Sequence, residues 1–390
     1  MFSSRLPARL TRNALSEARV RLRAAGVQVL DLTETNPTAV GLPYPEDVLA
    51  ALANPRGAIY DPSPLGLGEA REAVCETYAR RGIAIDPAHS VLTASTSEAY
   101  SFLFKLLADP SDRLLVPQPS YPLFDLLAGL DGLSTAPYRL DPMNGWAIDR
   151  QSLERALAPN VRALVVVSPN NPTGSFVRSA DREWLVSVAA DRGLAIVADE
   201  VFADYPVSPR PDATSFAGEE RALTFTLGGL SKLAGLPQVK LAWIALSGPD
   251  KLVGDALERI EVIADTYLSV STPVQLAAPL LIDAGRRIRQ TIAARLEENL
   301  ACLRSAVASH PALTLLEPEG GWSAVLRIPA TVPEEAVVLR LLNEAHVLVH
   351  PGYFFDFSEE AFLVLSLLPD PRVFEHGLSR LADVVAGSRR

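Results

Sequence analysis

Only two cysteines, Cys75 and Cys302, occur in 390 residues. A disulfide-stapled scaffold is excluded, and the two show no metal-like spacing, so free thiols in a reducing, cytoplasmic compartment are expected. The five histidines do not cluster as ligands, and no metal site is expected; His350, before Pro351-Gly352, reads as structural. No apolar run approaches the ~20 residues of a membrane span. Positive charge is in deficit, and a net charge of −10 disfavours nucleic acid or anionic membrane as the main partner. The first sixteen residues carry Arg5, Arg9 and Arg12 and no acid; a solvated helix is the simpler reading than a targeting peptide. Repeats and low-complexity tracts are absent too.

What the chain has is apolar content, 48% of its residues, enough for a large core split between two packed domains. Short β-rich runs at Arg113 to Pro117, Ala163 to Ser168, Leu194 to Asp199, Ala222 to Leu227 and Leu241 to Leu246 alternate with helical patterns such as Asp181 to Arg192. That alternation predicts an α/β fold whose mostly parallel sheet carries helices on both faces and binds ligands at the carboxyl ends of its strands. From about Asp250 the pattern turns long and helical, through Arg286 to Ala308. Strands resume at Ser323 to Ile328 and Ala361 to Leu368, as in a smaller α+β domain. The proline-rich stretch Ser208 to Asp212 reads as a surface loop.

Three stretches carry the chemistry: Asn170-Asn171-Pro172-Thr173-Gly174, Ala198-Asp199-Glu200 and Ser231-Lys232. Each follows or ends a strand-like run, so Asn171, Asp199 and Lys232 should meet at one sheet edge. A lysine amine becomes a nucleophile when desolvation lowers its pKa, and it then forms a Schiff base with a carbonyl. Pyridoxal phosphate is the common cofactor using such a lysine; its ring stores electrons while its nitrogen stays protonated, which a buried acid such as Asp199 secures. The Asn171 amide can donate to the ring's phenolic oxygen. Ser95, Thr96 and Ser97 precede an apolar helical pattern from Glu98 to Leu107, and a helix N-terminus with hydroxyls suits a phosphate, although such residues are also ordinary caps.

In the order and spacing of these motifs, from about Asp31 to Asp370, the chain resembles fold-type I aminotransferases of class I/II. The resemblance implies a seven-stranded sheet in a large domain at 45–280 and a small domain from 1–44 and 281–390. It makes Lys232 the Schiff-base lysine and general base, Asp199 the pyridinium partner and Asn171 the phenolic-oxygen partner. Thr93-Ala94-Ser95-Thr96-Ser97-Glu98-Ala99 resembles the phosphate turn, and Ser231 adjoins the lysine. Tyr121 falls where a ring stacks on the cofactor, and Tyr60 where a tyrosine reaches the phosphate of a partner subunit, which implies a homodimer. Val40 and Gly41 fall in the segment that folds over the substrate.

The departures are equally specific. Lys240 stands where the family has an arginine forking onto the phosphate, and keeps its charge without its bidentate geometry. Gly229 replaces a serine, and Phe202 a tyrosine that would donate to the phenolic oxygen; Tyr205 is a nearby phenol. Val364 occupies the place of the arginine that clamps a substrate carboxylate. A carboxylate against Val364 would lack a charged partner. Arg327 or Lys240 could supply one, backbone N–H groups could replace it, or the substrate could lack a carboxylate there. The expected reaction is transamination between a small-molecule amino donor and an oxo acid in a ping-pong cycle. Other Cα chemistry (decarboxylation, elimination or cyclisation) and a non-catalytic regulatory protein are the alternatives.

Overall fold

The computed structural model describes residues 2–7, 12–207 and 212–387; Arg9 and residues 208–211 of the proline-rich stretch lie outside them. Helix α1 (Ala14–Ala24), strand β1 (Leu30–Asp31) and α2 (Gly68–Ala79) lead into the expected alternation. It runs β2 (Ser90–Thr93), α3 (Thr96–Leu107), β3 (Arg113–Gln118), α4 (Phe124–Leu130), β4 (Ser134–Asp141), β5 (Ala147–Ile148) and α5 (Arg150–Ala156). Next come β6 (Val161–Val167), α6 (Ser179–Arg192), β7 (Ala195–Asp199), β8 (Thr224–Gly229), α7 (Leu230–Leu233) and β9 (Ala242–Ser247). Two long helices follow, α8 (Asp250–Tyr267) and α9 (Thr272–Ser309). The chain closes with β10 (Thr314–Leu316), β11 (Ser323–Arg327), α10 (Glu334–Glu344), β12 (Val347–Leu348), β13 (His350–Pro351), β14 (Phe362–Ser366) and α11 (Pro371–Gly387).

The main sheet has eight strands in the order β2-β9-β8-β7-β6-β3-β4-β5, not seven. The additional strand is β5, two residues that fold back antiparallel onto edge strand β4 after a turn through Gly145, whose φ of 58° suits a residue without Cβ. The centre, β8-β7-β6-β3-β4, is parallel, while β9 runs antiparallel to both β8 and β2. Its strands read as continuous apolar runs because both faces are covered. In β6, Ala163, Val165 and Val167 face α3 and α8, while Leu164 and Val166 face α5 and α6. Burying each such valine or leucine contributes about 1.5–3 kcal/mol.

A four-stranded antiparallel sheet, β10-β11-β14-β13, makes the second layer with α9, α10 and α11. Helix α9 starts earlier than its sequence pattern suggested and continues through residue 280, so the expected domain boundary falls inside one unbroken helix.

Helix α9 also braces the turn after Lys232. A Cβ at Gly285 would lie 2.3 Å from Ala234 Cβ and 2.7 Å from Ala234 Cα. Alanine at this helical position gains about 1 kcal/mol of intrinsic propensity, but the contact is with backbone that cannot swing aside. We expect Gly285→Ala to destabilise the protein by about 1–3 kcal/mol, seen as a lower midpoint of thermal unfolding, and to loosen the Lys232 turn. An unchanged midpoint would show that α9 does not hold that turn.

Candidate active site

Parallel pairing delivers the key side chains to one edge. Asp199 ends β7 and is in register with Leu227 of β8, which ends at Gly229, three residues before Lys232. Strand β6 ends four residues before Asn171, and β3 three before Tyr121.

Lys232 sits on the single turn α7, whose backbone is fastened from several directions. The Tyr205 hydroxyl donates to the Lys232 carbonyl at 2.6 Å, and the Tyr44 hydroxyl to the Gly235 carbonyl at 2.6 Å. The Leu230 N–H donates to the Leu241 carbonyl at 2.9 Å, and Arg289 of α9 to the Leu233 carbonyl at 3.5 Å. Burial pushes the Tyr44 phenol up to about 12, so it remains a donor through the neutral range.

The Lys232 amine lies 5.0 Å from the ring centre of Trp322 and 5.4 Å from that of Phe202. Trp322 in turn packs edge-on against Phe202 and Tyr205. Desolvation by these rings draws the ammonium below the ordinary lysine range, opposed by the charge of Asp199. Burial likewise pushes the Asp199 carboxyl above the usual carboxylate range, opposed by the Val201 N–H, the Tyr100 hydroxyl and the Lys232 charge. The Val201 N–H donates to Asp199 Oδ1 at 3.2 Å and the Tyr100 hydroxyl to Oδ2 at 2.9 Å.

The turn before α3 is a capping box. Ser95 Oγ accepts from the Glu98 N–H at 3.1 Å, and Glu98 Oε2 accepts from the Ala94 N–H at 2.7 Å. The Ser95 hydroxyl is therefore engaged as a cap. Thr96 and Ser97 open the helix, where N–H groups have no intrahelical acceptor, and the Ser97 hydroxyl lowers the pKa of the Tyr121 phenol against the larger effect of burial, which raises it. Of the two neighbouring asparagines, Asn170 is the structural one: buried, it bonds Ser120, the Pro119 carbonyl and Thr173. Asn171 is half-buried and takes no part in these bonds.

The other expected site residues differ in burial. Tyr60 is 73% exposed beside a groove of about 380 Å³, and Lys240 is exposed on a left-handed turn with φ 61°. Val364 is 2% exposed among Val325, Phe355 and Phe362, whereas Val40 packs in the core around α9 and its carbonyl accepts from Arg295. Gly41 is exposed. Arg327 ends β11 and lies over Phe362. Tyr100 and Trp322 escaped the motif reading. Tyr100 had one signal, a phenol on the inward stripe of an apolar helix, which requires a partner when buried.

These groups fit pyridoxal phosphate. A desolvated amine, a buried acid for a ring nitrogen, an amide for the phenolic oxygen and an open helix N-terminus for the phosphate converge on one edge. Among the described residues, the buried Trp322 Nε1–H beside the amine has no hydrogen-bond partner, and an oxygen-bearing ligand would satisfy it.

Residues 28–381 match the family described as aminotransferase class I and II, and the chain belongs to that family. With its fold-type I architecture, it is a pyridoxal-phosphate-dependent aminotransferase. It is similar to alanine aminotransferase of Mycobacterium bovis, 28% identical over 393 residues that span 97% of this chain and 90% of the relative. Glutamate-pyruvate aminotransferase AlaA of Escherichia coli is 27% identical over 384 residues, spanning 96% and 94%. A solved aminotransferase from Escherichia coli aligns over 99% of this chain and 98% of its own, with a TM-score of 0.88 at 25% identity.

The buried amine has a stability consequence. Its folded pKa is depressed, so charged Lys232 destabilises the apo-protein below the folded value, and the penalty fades as pH rises toward 10.5, the unfolded value. Lys232→Met should therefore unfold at a higher temperature than wild type near neutral pH, with an advantage that shrinks toward pH 10.5. A constant difference across that range would assign the effect to packing.

Proposed function

We propose that the protein is a homodimer that transfers an amino group from a small or apolar amino acid, or a related amine, to an oxo acid by a ping-pong cycle. The observation that carries this is the Lys232 amine, desolvated between Phe202 and Trp322 and coupled electrostatically to buried Asp199. Bound pyridoxal phosphate supplies an electron sink for the substrate Cα. Asp199 would keep the ring nitrogen protonated, Asn171 would donate to the phenolic oxygen, and Tyr121 would supply an aromatic cover. Thr96 and Ser97 hold the phosphate through helix N–H groups and hydroxyls, with the Ser95 cap fixing the turn; Ser231 and Lys240 add polar and cationic character. Lys232 Nζ would move the proton at the substrate Cα, and its neutral form is favoured by the aromatic walls that exclude water.

The dimer is supported by exposed Ile59 and Tyr60 beside the groove, which place apolar surface where a second copy would seat; Tyr60 then reaches the partner site. Residues 45–280 form the cofactor domain, with 1–44 and 281–390 bringing Val40, Gly41 and Val364 around the substrate. The names of the relatives, alanine and glutamate-pyruvate aminotransferases, support a small amino donor and a 2-oxo acid acceptor. Two free thiols, Cys75 and Cys302, support a cytoplasmic setting.

The test is a panel of amino donors, with and without a carboxylate on the amine-bearing carbon, given to purified holo-protein. A productive donor should convert the bound aldehyde form to the amine form, and Lys232→Ala should slow this by about 10²–10⁴-fold. Turnover without the amine form would favour lyase or decarboxylase chemistry, and full activity in Lys232→Ala would remove the lysine from the reaction.

A further inference from the structure

Tyr100 is a phenol in an otherwise apolar stripe of α3, packed with Ala99, Leu103 and Phe104 and 1% exposed. Its ring is held by Phe124, edge-on at 5.4 Å, and by Phe104 at 5.8 Å. The packing aims its hydroxyl at Asp199 Oδ2, 2.9 Å away. An ionised carboxylate has no hydrogen to give, so Tyr100 is the donor. Burial and the Asp199 charge push the phenol well above its ordinary range, which keeps that hydrogen in place.

We infer that Tyr100 is a positioning residue that fixes the Asp199 carboxylate and keeps the shared proton on the ring nitrogen of the cofactor rather than on the acid. The inference rests on the assignment of Asp199 as the ring-nitrogen partner. Desolvation is the largest influence on Asp199 and favours its neutral, protonated form; the opposing groups are the Val201 N–H, the Tyr100 hydroxyl and the Lys232 charge. Glu200, the other charged group acting on Asp199, pushes the same way as burial, and the remaining phenols near Tyr100 are Tyr121 and Tyr138. The balance is thus held by few donors. Without the Tyr100 hydroxyl, Oδ2 loses its one donor among the described residues, and the carboxylate becomes about ten-fold or more better at holding a proton. The N–H bond to the ring then yields to an O–H bond on Asp199, leaving a neutral ring nitrogen and a neutral acid. Lys232 is untouched, so the lysine can still bond the cofactor.

Tyr100→Phe keeps the ring between Phe104 and Phe124 and removes only the hydroxyl. The readout is the ¹⁵N chemical shift of ring-labelled pyridoxal phosphate on holo-protein, together with the cofactor dissociation constant by equilibrium dialysis. We expect a protonated-nitrogen shift in wild type, a shift toward neutral nitrogen in Tyr100→Phe, and cofactor binding about ten-fold weaker in the variant. Tyr100→Phe with the wild-type nitrogen shift would overturn the inference and reduce Tyr100 to packing. Tyr100→Leu, which loses the ring as well, should shift the nitrogen no further than Tyr100→Phe; if only the leucine variant changes it, packing is again the cause. A wild-type protein that bound no cofactor would instead overturn the site assignment on which this inference stands.

Discussion

Burial of an amine is the constraint around which this molecule is arranged. Lys232 stands in a wall of aromatic rings, where its charge is disfavoured and only the carboxylate of Asp199 supports it. The same desolvation acts on Asp199 in the opposite chemical sense, raising its proton affinity. Each group destabilises the fold when charged: burial favours the neutral amine of Lys232 and the protonated form of Asp199, which the hydrogen bonds to its oxygens and the Lys232 charge oppose. Much of the surrounding structure sustains this pair against the collapse or hydration that would relieve it.

The sustaining parts come from distant stretches of chain. The parallel core of the sheet brings the ends of β3, β6, β7 and β8 to one edge, while α9 and Tyr44 clamp α7 from the other side. Tyr205 fastens the Lys232 backbone and packs against Trp322, which walls the amine. A change as small as one methyl at Gly285 therefore reaches the reacting group through backbone contact, without touching any ligand.

The strands were legible because they depend on local pattern, continuous apolar runs for strands buried on both faces, and the same pattern put Asp199, Lys232 and Asn171 at or just past strand ends, where the structure has them. Strand β5 was not, since two residues after a tight turn leave no periodicity to read. Tyr100 and Trp322 were missed for a related reason. Their roles are made by packing between segments far apart in sequence, and an aromatic residue in an apolar run looks the same whether it fills space or carries a donor. Ser95 shows the reverse ambiguity: its hydroxyl fits a phosphate or a cap, and the capping box with Glu98 engages it as a cap. Val364 is buried among Phe355 and Phe362 in an apolar wall.

The central claim is that the Lys232 amine is the one that bonds the cofactor aldehyde. Borohydride reduction of the holo-protein, followed by peptide mapping by mass spectrometry, tests it directly by making that bond permanent. The account predicts a single reduced pyridoxyl adduct on the peptide containing Lys232. An adduct on another lysine, or none on a protein that retains its cofactor, would contradict it.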